Sequence, residues 1–328
     1  MRLRLILALA LAGPAAARGQ TQPVIIDTDV GSDDIMAMAF LLAHPSVPIE
    51  AITVANGTAH VDSGARNVIR LLDVAGRGQV PVFKGRNGAL RGIAEFPGEW
   101  RQIADELPGV QLPPPSRKPE AQTAAQYLIE RLRHGPSVRI LALGPLTNLG
   151  EALQRDPSIS ANISEIVIMG GAVHARGNLG DGGVYHTDNT TAEWNIFVDP
   201  LAARIVFRSG VPIRLIALDA TNKVPIDARF LHAFEEDAHS PLGRVAAQVL
   251  EADHDTIAQG IFFAWDPLAA VAMLHPGVVK TARMHIEIRQ DPPEAGRTAQ
   301  SAGAPNAEVA IDADASAFRK LFLEAFAR

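Results

Sequence analysis

The feature that most constrains this chain is an alternation. From Pro23 onward, short apolar runs that read as strands take turns with longer runs at helical spacing. "PVIID" leads into "DDIMAMAFLLAH", and "IEAITVA" into "VDSGARNVIRLLDVAG", closed by Gly76. "VPVF" is followed by "PEAQTAAQYLIERLRHG", "VRILAL" by "LTNLGEALQR", and "ISEIVIMGG" by "PLAARIVFRSG", before "PIRLIAL". Parallel strands need a long crossover, and a helix supplies it. The expected fold is therefore α/β: a single domain with a mostly parallel open sheet and helices on both faces. The C-terminal part is less regular, with strand-like "TARMHIEIRQ" and "AEVAID" and a closing helix "ASAFRKLFLEAFAR". No repeat or linker divides the chain, so one catalytic-sized domain is expected over residues 18–328.

With 328 residues, 47% of them hydrophobic, the chain can bury a large core. The formal net charge is -6 and no long basic run occurs, which argues against a nucleic-acid surface and for a small polar ligand. Residues 1–17 read as an export signal: Arg2 and Arg4, the apolar "LILALALA", then small residues ending at Ala17. The protein is expected to be exported, to a periplasm or the medium. It contains no cysteine, so neither a disulfide framework nor a cysteine-linked lipid anchor is available. No membrane-spanning segment is expected in the mature chain.

Two segments are long for loops in such a domain, from about Lys84 to Lys118 and from His174 to Asn195. Loops of that length are usually functional lids or disordered. The alternation places both after strands, at the carboxyl edge of the sheet, where ligands bind in open α/β folds.

The first strand runs straight into four aspartates, Asp27, Asp29, Asp33 and Asp34, within "DTDVGSDD". Asp27 and Asp29, two apart at a strand end, face the same side. Asp33 and Asp34 follow Gly31 and open a helix. Carboxylates this close repel and raise each other's pKa. A hard cation such as calcium or magnesium resolves the repulsion, since it takes carboxylate and carbonyl oxygens. Helix capping alone accounts for one aspartate, not four. Further oxygen donors are offered by Asp266 at a helix start in "FFAWDPLAAVAML" and by the Leu143 carbonyl before the "GPLTN" turn. Asn178, Glu193 and Asn195 lie in a glycine-rich surround and suit a ligand with several hydroxyls, such as a sugar.

"DTDVGSDD", "GPLTN", "IMGGAV", "AEWN" and "WDP", in that order, resemble the calcium-dependent nucleoside hydrolases, which cleave the N-glycosidic bond of ribonucleosides. The likeness runs from about Pro23 through the C-terminal helix. "FPGEWR", "IMGGAVHARGN", "LDATNKVPI" and "FFAWDPL" resemble the branch that prefers inosine, adenosine and guanosine. The resemblance implies Ca2+ held by Asp29, Asp34, Asp266 and the Leu143 carbonyl, where the family commonly has threonine. It implies Asp29 as general base toward a calcium-bound water, and Asp27 as an orienting group behind it. Asp33 and Asn195 are expected on the ribose 2′ and 3′ hydroxyls, Asn178 and Glu193 on the 5′ hydroxyl, and Met169 beside the sugar. Another branch has histidine just before the last metal aspartate; here that position is Trp265. Trp265 and Trp100 are expected to sandwich a purine, and stacking is worth roughly 1–3 kcal/mol per base in nucleic-acid sites. After the second strand the family carries asparagine or aspartate, whereas "TVANGTAH" aligns Thr58 there, with Asn56 as the alternative. The resemblance also implies a homodimer or homotetramer. The expected activity is hydrolysis of purine ribonucleosides. The alternatives are a broad or pyrimidine-preferring ribohydrolase, an exported nucleoside- or sugar-binding protein, and a phosphatase with an Asp-x-Asp nucleophile, for which no suitable lysine is found.

Overall fold

Near-continuous apolar runs make the first strands, and these become the buried centre of a sheet. In the computed structural model, which describes residues 22–327, β1 (Val24–Thr28) is buried at every position. The expected export signal, residues 1–17, lies outside the described residues. β2 (Ile49–Val54), β3 (Val82–Lys84), β4 (Val138–Ala142), β5 (Ile163–Met169), β6 (Ile213–Ile216), β7 (Val279–Ile288), β8 (Thr298–Ser301) and β9 (Ala307–Ala313) complete the strands among the described residues. Their order is β3-β2-β1-β4-β5-β6-β9-β7-β8. Every pair from β3 across to β9 is parallel, while β7 runs antiparallel to β9 and to β8.

The order shows where a ligand should sit. From β1 the chain steps outward to β2 and β3, then returns to the other side of β1 to lay down β4, β5 and β6. The reversal leaves a crevice above the carboxyl ends of β1 and β4, the usual binding position in open α/β sheets.

Period-two alternation sends successive side chains to opposite faces. Val24 and Ile26 of β1, Leu141 of β4 and Val167 of β5 join one core cluster, while Ile25, Ile140, Ile166 and Ile168 join the other. The first face is covered by helices Ser32–Leu42 and Trp265–Leu274. Both are apolar on nearly all sides and packed against each other, as helices in the middle of a layer must be. An aromatic plug of Phe40, Phe230, Phe318 and Phe322 closes this core at the C-terminal helix, Ala315–Glu324. Helices Ala124–His134, Thr147–Arg155 and Pro200–Phe207 cover the opposite face.

The expected fold is found, with three differences, the first being the short edge strand β8 at Thr298–Ser301, which is not among the expected strands. The segment Lys84–Lys118 is not all loop: Gly98–Glu106 is a helix, hidden in the sequence by the glycines and prolines around it. Residues between β6 and β7, left unassigned by periodicity, form helices Ala228–Asp237, Pro241–Ala252 and His254–Ala258. The first two start on capping side chains. Asp227 accepts the Phe230 N–H at 2.8 Å, and Ser240 accepts the Gly243 N–H at 3.0 Å ahead of Pro241.

Candidate active site

The site begins where β1 ends. Val30 takes a left-handed conformation (φ 63°), an outlier for a β-branched residue, and so turns the chain sharply before helix Ser32–Leu42. The surroundings hold that strained turn. Thr28 Oγ1 accepts the Val30 N–H at 3.1 Å and donates its own proton to Asp34 Oδ1. Asp34 Oδ2 accepts the Gly31 N–H at 2.9 Å. Asp34 therefore both caps its helix and presents a buried carboxylate to the crevice.

Asp29 is 1% exposed and clamped from three sides. Its Oδ2 accepts the Thr58 N–H at 2.6 Å and the Thr58 hydroxyl at 3.0 Å. Gly57 and Gly144 lie against it so closely that a Cβ would stand 2.0 Å and 2.7 Å from its atoms. Glycine is required at both places by this close approach. Asp27 sits behind, accepting from Thr53 Oγ1 at 2.6 Å and Asn148 Nδ2 at 2.7 Å.

Asp266 opens helix Trp265–Leu274, and its Oδ1 is buried without a hydrogen-bond partner. Oxygens of Asp33, Asp34 and Asp266 lie within 4.8 Å of one another. Asp29 adjoins this triple and adds to the repulsion on each member. Burial pushes Asp33 up to about 7, with repulsion from Asp29 next in weight. Burial likewise raises Asp34 and Asp266 well above the usual carboxylate range, and Asp29 above its ordinary value. An unpartnered buried oxygen among mutually repelling carboxylates, with no thiolate in the chain, fits a hard divalent cation.

The remaining expected site residues gather around two other strand ends. Met169 ends β5, and Leu143 follows β4. Asn195 Nδ2 donates to the Leu143 carbonyl at 2.8 Å and lies 3.3 Å from the Met169 carbonyl. The Leu143 oxygen keeps one lone pair for a further partner. Glu193 caps the short helix Trp194–Val198 and accepts N–H groups from Asn195 at 2.9 Å and Gly171 at 2.8 Å. Burial pushes it up to about 7 against those hydrogen bonds. Asn178 Oδ1 accepts the Trp194 N–H at 3.2 Å, which leaves its amide nitrogen available.

One cavity of about 400 Å3 collects most of these groups, with Asp27 behind it. Asp29, Asp33, Asp34, Thr58, Trp100, Leu143, Met169, Asn178, Glu193, Asn195, Trp265 and Asp266 all line it. Thr58 reaches it while giving both its backbone and hydroxyl protons to Asp29; Asn56, the alternative at that turn, is bonded to Arg101 instead. Trp265 packs edge-on against Phe262, and Trp100 against Trp194. Among the described residues no lysine, arginine or histidine lines the cavity. Sequence reasoning missed Asp253, Ile103, Phe96 and Phe262, which also line it. Asp253 and Ile103 belong to the helical segments that periodicity left unassigned, and only through-space packing brings them here.

Comparison with known proteins follows the same residues. The family described as inosine-uridine preferring nucleoside hydrolase matches residues 24–320. The chain is 33% identical over 319 residues to a pyrimidine-specific ribonucleoside hydrolase RihA from Citrobacter koseri, covering 93% of this chain and 98% of that protein. It is 37% identical over 209 residues to uridine nucleosidase 1 of Arabidopsis thaliana, 63% of this chain and 60% of that one. Among solved structures, a purine-preferring ribonucleoside hydrolase from Gardnerella vaginalis superposes with a TM-score of 0.82 at 27% identity, covering 93% of this chain and 98% of that one. A plant nucleoside hydrolase superposes with a TM-score of 0.81 at 30% identity, covering 94% and 99%. The chain belongs to the inosine-uridine preferring nucleoside hydrolase family and is an N-glycosyl hydrolase.

Proposed function

We propose that this enzyme hydrolyses purine ribonucleosides to free base and ribose, with Asp29 as general base and calcium as its metal. The observation that carries the reading is the meeting of two unlike kinds of group in one cavity. Buried carboxylates line it together with the apolar side chains of Trp100, Trp265, Ile103 and Phe262. Such a cavity takes a hydroxyl-rich sugar and a flat apolar base together.

Asp29 Oδ2 is engaged by Thr58, so Oδ1 is the atom assigned to accept the proton of the attacking water. Asp33 and Asn195 are assigned to the 2′ and 3′ hydroxyls, and Asn178 and Glu193 to the 5′ hydroxyl, with Met169 against the sugar face. Contacts that tighten as the ribose flattens favour the transition state over the bound substrate. Asp34, Asp266, Asp29 and the Leu143 carbonyl are the assigned metal ligands, and the close approach of Asp33 to Asp34 and Asp266 supports a sugar hydroxyl lying beside the metal. When bound, a divalent cation keeps these carboxylates charged and polarises water and hydroxyls beside it. Without a histidine in the cavity, departure of the base is assigned to stacking on the indoles of Trp100 and Trp265.

A second reading, pyrimidine preference, is favoured by the name of a relative that is 33% identical over 98% of its own length. Turnover of inosine and uridine compared side by side separates the two. The purine reading expects inosine to be the better substrate by kcat/KM, with Trp265→Ala removing most of that advantage. Equal turnover, or an unaffected Trp265→Ala enzyme, favours the pyrimidine or broad reading. The proposal also has the protein exported and assembled as a homodimer or homotetramer, which cell fractionation and light scattering test.

A further inference from the structure

Arg101 follows Trp100 on helix Gly98–Glu106, yet it is only 4% exposed. One terminal nitrogen donates to Asn56 Oδ1 at 2.7 Å, and the other lies 3.1 Å from Glu95 Oε2. Its Nε is buried without a partner. Glu95 is about half exposed (54%), so the ion pair recovers only part of what it costs to take the guanidinium out of water. The remaining partner, Asn56, is 5% exposed and stands two residues before Thr58. Thr58 in turn grips Asp29 Oδ2 through its N–H at 2.6 Å and its hydroxyl at 3.0 Å.

We propose that Arg101 is a positioning residue that couples the base-side helix to the general base. Arg101 ties the Asn56–Thr58 turn to the helix bearing Trp100, and that turn sets the Asp29 carboxylate. The turn has little freedom of its own. Ala55 N–H donates to the Thr28 carbonyl at 2.8 Å, Ala59 N–H to the Asp29 carbonyl at 2.8 Å, and Gly57 lies against the Asp29 side chain. A shift of the helix is therefore passed to Asp29 rather than absorbed. The inference rests on the assignment of Asp29 as base.

If Arg101 only anchored the helix, its loss would raise KM for nucleosides and spare turnover of a substrate that needs no stacking. The test therefore uses inosine and 4-nitrophenyl β-D-ribofuranoside, with Arg101→Leu, Asn56→Ala and Thr58→Val singly and in pairs. Asn56→Ala keeps the Arg101–Glu95 pair, so it remains informative should Arg101→Leu fail to fold. Expected is a fall in kcat of about tenfold or more on both substrates, as small misplacements of reacting groups produce. The Asn56–Thr58 double variant should fall by clearly less than the product of the two single falls. Unchanged kcat on the nitrophenyl riboside, or effects that multiply, overturn the coupling. Multiplying effects in a protein whose Asp29→Ala variant is inactive remove the coupling and leave the base assignment standing. An active Asp29→Ala variant removes both.

Discussion

At the scale of single residues, the site is governed by how tightly Asp29 is boxed in. A Cβ at Gly57 would stand 2.0 Å from Asp29 Oδ2, and Gly144 closes the opposite side. Gly57→Ala is expected to lower kcat by roughly a hundredfold, the scale of loss for a misplaced reacting group, and to lower the melting temperature as well, since the overlap has to be relieved in a buried turn. Steady-state kinetics and a thermal melt on the same preparation check it. The raised carboxylates give a second prediction. Asp33 and Glu193 are pushed up to about 7 and Asp253 to about 6, chiefly by burial. The folded protein then binds more protons than the unfolded chain between about pH 4 and pH 7, so its stability falls as pH rises through that window. Calcium binding should oppose the fall. In chelator the melting temperature is expected to drop from pH 5 to pH 7, and added calcium should raise it more at pH 7 than at pH 5. A larger calcium effect at pH 5 would contradict the account. The aspartate cluster was legible in sequence because four like charges at one strand end have few physical resolutions. The hold of Thr58 on Asp29 was not, since it joins residues 29 positions apart through a turn geometry that composition does not encode.

At the scale of elements, the helix Gly98–Glu106 brings Trp100 and Ile103 to the cavity and is docked by its C-terminal end. Asn67, fully buried on helix Val61–Val74, donates to the Ala104 and Asp105 carbonyls, each at 3.1 Å. Asp105 returns the contact by accepting the His60 N–H at 2.8 Å, at the start of that second helix. Each helix end thus satisfies backbone groups that would otherwise lack partners. Asn67→Ala is expected to take the side-chain donor from the Ala104 carbonyl while the Asp105 carbonyl keeps Arg66 Nη2 at 3.2 Å, to speed limited proteolysis near residues 98–110, and to raise KM for inosine severalfold, in keeping with the loss of a cap. Unchanged cleavage and KM would show that the helix is held elsewhere. Apart from β8, the strands were legible as short apolar runs, and most of the helices covering the sheet as longer runs between them. This helix was not, because its exposed side is polar and its neighbours "EFPG" and "LPGV" read as breakers.

At the scale of the whole molecule, one topological fact explains why residues so far apart in sequence meet. The strand order reverses at β1, so the carboxyl ends of β1, β2, β4 and β5 open onto one crevice. Helix Trp265–Leu274, packed along Ser32–Leu42, delivers Trp265 and Asp266 to the same place. The assembly was foreseeable in outline, since alternating strands and helices imply the sheet and the sheet implies the crevice. The closing wall from the Asp253 segment was not, because those helices belong to no strand crossover that periodicity could frame. The central claim is that this crevice cleaves nucleosides through Asp29 with a bound cation. Ribose release from inosine, measured with calcium and with chelator on wild type and Asp29→Ala, tests it most directly. The account predicts release that chelator abolishes, calcium restores and Asp29→Ala lacks. Full activity in Asp29→Ala, or binding of inosine with no ribose released in calcium, would contradict it.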